Sequence, residues 1–476
     1  MKKNSLFTKI GYGVGDMYAG GAFLLVGLLF LNFLTDVAGL SPALAGIVFF
    51  VGKIWDAISD PLMGFISDRT KSKHGRRRIY FLIGIIPIFF TFAMLWYTVK
   101  SENQTVLFIY YMFSYILFNT VFTLVMVPYN ALLPNMIKDY KLRTSFNTVR
   151  LTCSAVSAIL SGVFPMIIVN SFESTNTGYM MMAFAFGLLY SLPWILVFRK
   201  TWELPVVKTE EKARFGDLFK EFFLSFRNKS FRIHSGFFVS GQTAVDFLTT
   251  LFIYYLTYVL GRKGEFSAVL GVLLVVQLIS MSIHGKISRT YGKTVPLRIG
   301  LGVWLVGLVI TLLITKDSPS YLIYVVAAMS GVGSSASTFV PWSILPEISD
   351  IDEMITGRRR EGIYAGMSTL IRKVAQAVSV FIIGVVLEQI GYIANIEQSA
   401  STVLGIRLLF FIGPVLFMII AFITSSRYKM TEKRHDVLMN EIASRKNGAE
   451  PSQDAEVIEI CEDLTGVKYS RLAKFK

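Results

Sequence analysis

The sequence predicts an all-α membrane protein with twelve transmembrane helices in two related halves of six. The composition, the spacing of the apolar stretches and an internal repeat predict this fold. Of the 476 residues, 53% are hydrophobic and 17% are charged, and the mean hydropathy is +0.55. Soluble domains are about 25% charged. The composition therefore excludes an ordinary soluble enzyme and indicates a protein that crosses the membrane many times.

The apolar stretches are numerous and long enough to form all of these helices. About 20 apolar residues span a bilayer. Stretches that meet this need lie at 10–35, 42–67, 79–99, 105–136, 145–170, 178–198, 231–260, 264–288, 296–315, 319–347, 363–392 and 403–425. Polar Tyr12, Gly13 and Asp16 interrupt the first stretch, so we expect a retained helix rather than a cleaved signal peptide.

The basic residues identify one side of the membrane. The formal net charge is +15, and Lys and Arg gather at the ends of apolar stretches, as the positive-inside rule requires. The loops of one face hold few basic residues, namely Lys100, Arg262, Lys263 and Lys316, whereas the N-terminus, the other loops and the tail hold many. We therefore expect a multi-pass protein of the cell (inner) membrane, with cytoplasmic termini, contacts with the lipid bilayer and no binding of nucleic acid.

A repeated motif divides the chain into two halves. The segment 127–134 (VPYNALLP) recurs at 340–346 as VPWSILP, and 64–69 (GFISDR) has a weaker echo at 285–289 (GKISR). Parallel halves around a central site are the architecture of major-facilitator transporters. The alternative is that two proline-rich segments match by chance.

The repeat and the polar interruptions predict four regions. These are an N-terminal half at 1–198, a cytoplasmic middle loop at 199–230, a C-terminal half at 231–425 and a cytoplasmic tail at 426–476. The second part of the middle loop has the pattern of an amphipathic helix lying on the membrane. We expect the tail to be solvated, with a weak helical pattern near 431–446.

Charged residues inside the second span indicate a cation or proton site. A charge at the centre of a bilayer costs at least ~2.5–3.5 kcal/mol and usually marks a functional cavity. Asp56 and Asp60 lie one turn apart on one helix face, with Ser59 beside them. Such carboxylates repel unless a cation such as Na⁺ or a shared proton lies between them. The alternative is a structural ion pair with Lys53 or with a base from another helix, for which Lys373 is a candidate.

Other polar residues in the spans are candidates for binding a substrate. Arg150 can donate two hydrogen bonds to hydroxyls or to a carboxylate, and aromatic faces suit sugar rings. The candidate substrate-binding residues are Asp16, Tyr129, Asn130, Arg150, Asp246 and Trp342. Contacts between helices would explain the same residues. Arg372 is a further ionisable residue within a span, and Arg407 lies near a helix end, where we expect it to snorkel.

The basic loop after the second span indicates a gate. Gly64 and Asp68 allow close helix approach and an ion pair with neighbouring arginines, beyond what positive-inside charge alone requires. We expect a cytoplasmic gate formed by Asp68, Arg69, Arg76, Arg77, Arg78, Arg143, Arg359, Arg360 and Glu361. Glu361 is the acid of the second half that we expect to meet the basic loop of the first.

Several motifs together resemble one family, the glycoside–pentoside–hexuronide:cation symporters. They are Tyr12-Gly13-x-Gly15-Asp16, Trp55-Asp56-Ala57-x-x-Asp60-Pro61, Pro341-Trp342-x-x-Leu345-Pro346 and Arg359-Arg360-Glu361-Gly362. The resemblance covers about residues 8–425 and implies a major-facilitator fold that moves sugars with Na⁺, Li⁺ or H⁺. It implies a cation site at Asp56, Ser59, Asp60 and Thr123, with Lys373 close by.

The sequence departs from the family's melibiose-transporting members at the sugar site. Gly20 and Met126 stand where those members have carboxylates, Asn130 replaces a tryptophan, and Arg150 matches their sugar-contacting arginine. Melibiose is therefore not expected, and an anionic glycoside or hexuronide becomes more acceptable. Ser59 replaces an amide, which leaves the choice between Na⁺ and H⁺ open.

These observations favour a secondary symporter for a sugar, glycoside or hexuronide. We expect no enzyme activity, no cofactor beyond the coupling cation, no metal site beyond that monovalent cation, and a monomer. A proton-coupled carrier of a drug, peptide or lipid is the alternative within transport. A membrane enzyme or sensor would need a nucleophile, metal ligands or a soluble domain, and the sequence offers none. A channel fits two related halves less well than alternating access does.

Overall fold

The computed structural model describes residues 5–137, 139–204 and 224–473, and over these ranges the chain contains helices and loops without strands. Twelve helices in the described residues are long and apolar enough to cross a membrane, which confirms the predicted fold class. They are α1 Leu6–Phe30, α2 Pro42–Arg69, α3 Arg78–Leu95, α4 Gln104–Met136, α5 Leu142–Asn170, α6 Thr175–Lys200, α7 Lys229–Val259, α8 Lys263–Tyr291, α9 Val295–Leu313, α10 Tyr321–Thr356, α11 Glu361–Gln389 and α12 Ala400–Ser426.

The two groups of six helices repeat the same packing. In the first group α4 packs on α2 and α3, and in the second group α10 packs on α8 and α9. Likewise α1 packs on α5 as α7 packs on α11. Between the groups, α2 packs along α11, and α5 packs against α8. The helix that carries Lys53, Asp56 and Asp60 therefore lies beside the second half of the chain.

Helix α10 continues beyond the predicted apolar stretch, which ends at 347. It reaches Thr356, and its last turns carry three buried acids, Asp350, Asp352 and Glu353. A hydropathy scale predicts that such acids are exposed to solvent. In the structure Asp350 pairs with Arg359, Asp352 with Arg360 and Glu353 with Lys446. Gly357, with φ of 73°, then ends the helix in the left-handed conformation that glycine adopts readily.

The contact between α2 and α11 is tight at one face of the bundle and open at the other. We call the face where α1 begins and α12 ends the terminal face, and the opposite one the distal face. Near the distal face, a Cβ on Gly384 would lie 2.4 Å from the Pro42 carbonyl oxygen. Towards the terminal face the helices separate around a cavity of about 760 Å³. The bundle is thus closed on the distal side.

The tail differs from the solvated segment that we expected. It forms α13 Glu432–Lys446 and α14 Ala455–Thr465, which pack against the terminal ends of α7 and α10. Leu438, Ile442, Ile460 and Leu464 are buried. Each helix has too few apolar residues to give a strong signal, but together the two apolar faces form a small core. The predicted amphipathic helix of the middle loop falls largely on 205–223, outside the described residues.

Candidate cation and substrate sites

The structure brings the five predicted cation-site residues together. Lys373 of α11 crosses to α2, where its Nζ lies 3.0 Å from Asp56 Oδ2 and 2.5 Å from Asp60 Oδ2. The Thr123 hydroxyl of α4 lies 2.9 Å from Asp60 Oδ1 and 3.2 Å from Asp56 Oδ1. Ser59 Oγ lies 3.2 Å from the same hydroxyl. Two carboxylates, two hydroxyls and one ammonium from three helices therefore form one cluster.

The two carboxylates differ in their access to the cavity. Asp56 has no exposed side-chain surface, whereas the Asp60 side chain is 32% exposed. Asp60 and Lys373 line the cavity between α2 and α11, which extends to Arg359 and Glu361 near the terminal face. A small ion entering from that face therefore meets Asp60 before Asp56.

Three predicted substrate residues form a second cluster in the first half. Arg150 of α5 donates from Nε to Asp16 Oδ1 of α1 at 3.0 Å and from Nη2 to Asn130 Oδ1 of α4 at 2.7 Å. The Asp16 side chain is 6% exposed and that of Arg150 is 20% exposed. The buried carboxylate thus orients a partly exposed guanidinium.

The second half contains an equivalent pair that sequence reasoning only half recognised. Asp246 of α7 accepts two hydrogen bonds from Arg372 of α11, both at 2.7 Å. Arg372 also donates to Gln242 Oε1 at 3.2 Å. The acid lies on the first helix of each half and the arginine on the fifth, so the pair repeats with the fold. Both spans contained visible charges, but no sequence pattern showed that they meet.

Tyr129 and Trp342 have different surroundings from each other. Tyr129 is fully buried, stacks on Tyr12 at 4.8 Å and donates its hydroxyl hydrogen to the Tyr12 carbonyl. This position matches the helix-packing alternative. Trp342 is 46% exposed, packs on Phe238 and lines a small cavity between α10 and α11 that also includes Glu361. It lies on α10 of the second half, whereas the Asp16 cluster belongs to the first half.

Lys53 is a buried base that we had considered only as an ion-pair partner. The residue is 4% exposed, and its Nζ lies 3.7 Å from the centre of the Phe23 ring. Among the described residues no carboxylate lies within 4.0 Å of this ammonium. The ion-pair partner of Asp56 is therefore Lys373 and not Lys53.

The predicted gate residues of the first half pair within that half. Asp68 accepts from Arg77 at 2.7 Å and lies 4.0 Å from Arg76, while the Arg69 guanidinium lies over the Phe65 ring. Arg143 donates to the carbonyl of Ile137 at 2.6 Å.

An acid that we had not predicted orders the basic loop. Glu203, just after α6, accepts hydrogen bonds from the backbone N–H groups of Arg76, Arg77 and Arg78 at 2.8–3.0 Å. Glu203 lies more than 120 positions after this loop, so no local sequence pattern predicted the contact.

Glu361 has a different partner from the one expected. It pairs with Arg359 at 2.6 Å rather than with the basic loop of the first half. This hydrogen bond, followed by the charge of Asp350, raises the pKa of Arg359 above its ordinary value. Arg360 pairs with Asp352 at 2.6 Å. Because the cavity separates the halves here, contacts across the terminal face stay a prediction for another conformation.

A cluster at the distal face joins the two halves, and sequence reasoning missed it. Asp36, just after α1, accepts hydrogen bonds from the Tyr258 and Tyr392 hydroxyls, each at 2.5 Å. Asn395 donates to the Asp36 carbonyl oxygen at 2.5 Å. We call these four residues the distal clasp. One carboxylate therefore holds the ends of α1, α7 and α11 together.

Comparisons with known proteins agree with this architecture. Residues 11–432 match the family of MFS/sugar transport proteins. The chain is 29% identical to the uncharacterized symporter YnaJ of Bacillus subtilis, over 94% of this chain and 96% of that protein. It is 30% identical to a candidate sulfoquinovose importer of Salmonella typhimurium, over 93% of this chain and 94% of that protein.

A solved structure shows the same fold at low sequence identity. A bacterial homologue of the human lysosomal transporter Spinster, in an inward-facing conformation, matches with a TM-score of 0.64 and 12% identity, over 91% of this chain and 99% of that chain. The family match covers most of the sequence and includes the cation-site residues and both acid–arginine pairs. The chain therefore belongs to the MFS/sugar transport family and is a membrane transporter rather than an enzyme.

Proposed function

We propose that the chain is a secondary active symporter that moves a sugar, glycoside or hexuronide together with Na⁺ or H⁺ by alternating access. The observation that carries the proposal is the ion pair of Lys373 from one half with Asp56 and Asp60 from the other, beside a cavity open to one face. The symporter and sulfoquinovose-importer names of two relatives support the same reaction class.

The coupling cation replaces the Lys373 ammonium between the two carboxylates. Carboxylate and hydroxyl oxygens of Asp56, Asp60, Ser59 and Thr123 are hard ligands that suit Na⁺ or Li⁺. A proton shared by the carboxylates relieves their repulsion as well, so Na⁺ and H⁺ both remain in the proposal. Once Lys373 leaves the pair, α11 is no longer held to α2 by charge, and the halves can rock.

Substrate lies between the two acid–arginine pairs, one in each half. Asp16 with Arg150 and Asp246 with Arg372 offer carboxylate acceptors and guanidinium donors to sugar hydroxyls. Linkage requires that the sugar raise cation affinity by the same factor as the cation raises sugar affinity. The protein works as a monomer in this proposal, because a single chain contains both halves of the transporter.

In this proposal the terminal face of the protein lies on the cytoplasmic side of the cell membrane. The distal loops carry few basic residues, whereas the terminal face carries the basic loop at 69–78 and the arginines at 358–360. The cavity beside Asp60 then opens to the cytoplasm, and the distal clasp closes the outside.

Uptake measurements with charge-removing variants test the proposal. In vesicles with an imposed Na⁺, Li⁺ or proton gradient, we expect Asp56→Asn and Asp60→Asn to abolish accumulation of sugar against its gradient, because each removes one of the two negative charges that hold the cation. Sugar exchange without net accumulation should persist in part. Asp317→Asn, the same change at an exposed distal residue, is the matched control and should accumulate like the parent. Accumulation by both site variants would overturn the cation site.

A further inference from the structure

The charges in the central part of the spanning helices balance one another. Four acids and four bases lie there in the described residues, namely Asp16, Asp56, Asp60, Asp246, Lys53, Arg150, Arg372 and Lys373. Arg407 lies near the distal end of α12 and donates to the Leu312 carbonyl at the end of α9, so it belongs to the rim. The central set therefore has no net charge before a cation or substrate binds.

Lys53 is the base of this set that has no carboxylate of its own. Asp16 pairs with Arg150, Asp246 pairs with Arg372, and the two carboxylates of α2 share Lys373. The charges that act on Lys53 include those of Asp56, Lys373, Arg372 and Asp246. Lys373 offsets one of the two negative charges of Asp56 and Asp60. The other negative charge of this pair offsets the charge of Lys53.

Binding of a coupling cation removes this balance. A monovalent cation between Asp56 and Asp60 neutralises the carboxylate that had offset Lys53, so the central set gains one positive charge. An uncompensated charge in a desolvated site is costly. A neutral sugar would leave this charge uncompensated, whereas a sugar with one negative charge would remove it.

We infer that the substrate is a singly charged anionic sugar, either a hexuronide or a sulfonated hexoside, and that Lys53 selects its charge. The inference rests on the proposed symport function and specifies its substrate. One cation and one anionic sugar cross together, so the transport cycle carries no net charge. Lys53 of α2 and Arg372 of α11 approach the substrate's acid group from opposite halves.

The arginine geometry fits this substrate. Arg372 donates one hydrogen bond from Nε to Gln242 and one from each Nη to Asp246. A guanidinium has five N–H donors, so two remain to be shared with an acid group. Sulfoquinovose, named for one relative, is a sulfonated hexose and has the required single negative charge.

The test compares matched sugars in proteoliposomes that contain the purified full chain. The probes are hexuronides and sulfonated hexosides of gluco, galacto and manno configuration, each beside the uncharged hexoside of the same configuration. The membrane potential is set with potassium and valinomycin. We expect the anionic member of a pair to be preferred at least ~10-fold, the size of a charge-selective contact. We also expect its cation-driven initial rate to be unchanged by the potential.

Variants at Lys53 separate charge selection from folding. Lys53→Met should lower uptake of the anionic member on the order of 100-fold and raise uptake of the uncharged member, because the cation-bound central set is then neutral, whereas Lys53→Arg should keep the preference. A merely structural role would lower both members equally. The potential dependence of the parent tests the inference even where Lys53→Met does not fold.

Two outcomes would overturn the inference and can be told apart. Cation-coupled accumulation of uncharged sugars that is accelerated by an inside-negative potential would refute the anionic substrate but leave the proposed symport intact. Failure of every sugar to accumulate under any cation gradient would refute both.

Discussion

At the scale of single residues, each buried acid of the central region depends on a base from a distant helix. Asp16 is almost fully buried, and Arg150 is the base that compensates it. The Arg150 guanidinium also lies 5.2 Å from the centre of the Tyr129 ring. Tyr129 therefore packs against the arginine that we propose to bind the substrate.

Removal of Arg150 should affect both binding and stability. Arg150→Ala should reduce sugar affinity at least ~10-fold by deleting a charged donor, and it should destabilise the fold by about 3–5 kcal/mol because Asp16 is left unpaired. Substrate-dependent thermal unfolding measures both effects. The double variant Asp16→Asn, Arg150→Ala should recover stability without recovering binding. Unchanged uptake by Arg150→Ala would contradict the assigned role.

At the scale of helices, the contact of α2 with α11 divides into a closed distal part and an open terminal part. The distal clasp supports the closed part, since Asp36 accepts two short hydroxyl hydrogen bonds from the second half. Glu388 of α11 also accepts from the backbone N–H of Ala43 in α2. These contacts must break before the carrier opens on the distal side.

Weakening the distal clasp should open the distal face. Charge-assisted hydrogen bonds are worth about 1.5–3 kcal/mol each, so Asp36→Asn should shift the population by ~10-fold or more towards the distally open conformation. The measurement is the labelling rate of single cysteines placed on each face. Distal sites should react faster and sites lining the terminal cavity more slowly than in the parent.

Neutralising the terminal gate provides the opposing comparison. Asp68→Asn and Glu361→Gln should favour the terminally open conformation and slow turnover, because both acids are expected to meet bases when that face closes. Identical labelling of both faces in all three variants would show that neither set of charges controls the conformation.

At the scale of the whole molecule, the tail is a folded element attached to the second half. Asp463 of α14 pairs with Lys229, Lys429 and Arg434. Burial acts to raise the pKa of Asp463, but the hydrogen bonds from these three bases outweigh it and lower the pKa to about 2 from 3.8. A lowered carboxyl pKa stabilises the docked tail above pH ~4 and loses that effect as the pH falls towards 2.

The tail should therefore detach when this carboxylate is neutralised. Asp463→Asn should weaken docking by about 2 kcal/mol, the size of a charged hydrogen bond, and should remove most of the acid sensitivity between pH ~4 and ~2. Hydrogen exchange of α13 and α14 measures docking. Glu450→Gln, at an exposed tail residue, is the control. A pH profile that stays the same in Asp463→Asn would show that another acid holds the tail.

The sequence by itself predicted the helices, their number and the close placement of Asp56, Ser59 and Asp60. These properties are local, because hydropathy over one span and the helical period depend only on neighbouring residues. The repeat at 127–134 and 340–346 was readable for the same reason. The family resemblance added Thr123, which no local pattern could bring from α4 to α2.

The partners of these residues were decided by the tertiary structure. Lys373 reaches two acids more than 300 positions away, Arg372 meets Asp246, and Lys53 meets no carboxylate within the described residues. The clasp at Asp36 and the docking of the tail likewise depend on helix ends that are distant in sequence. Such pairings depend on how whole helices pack and on the conformation of the transporter. Patterns of neighbouring residues in the sequence show neither of these.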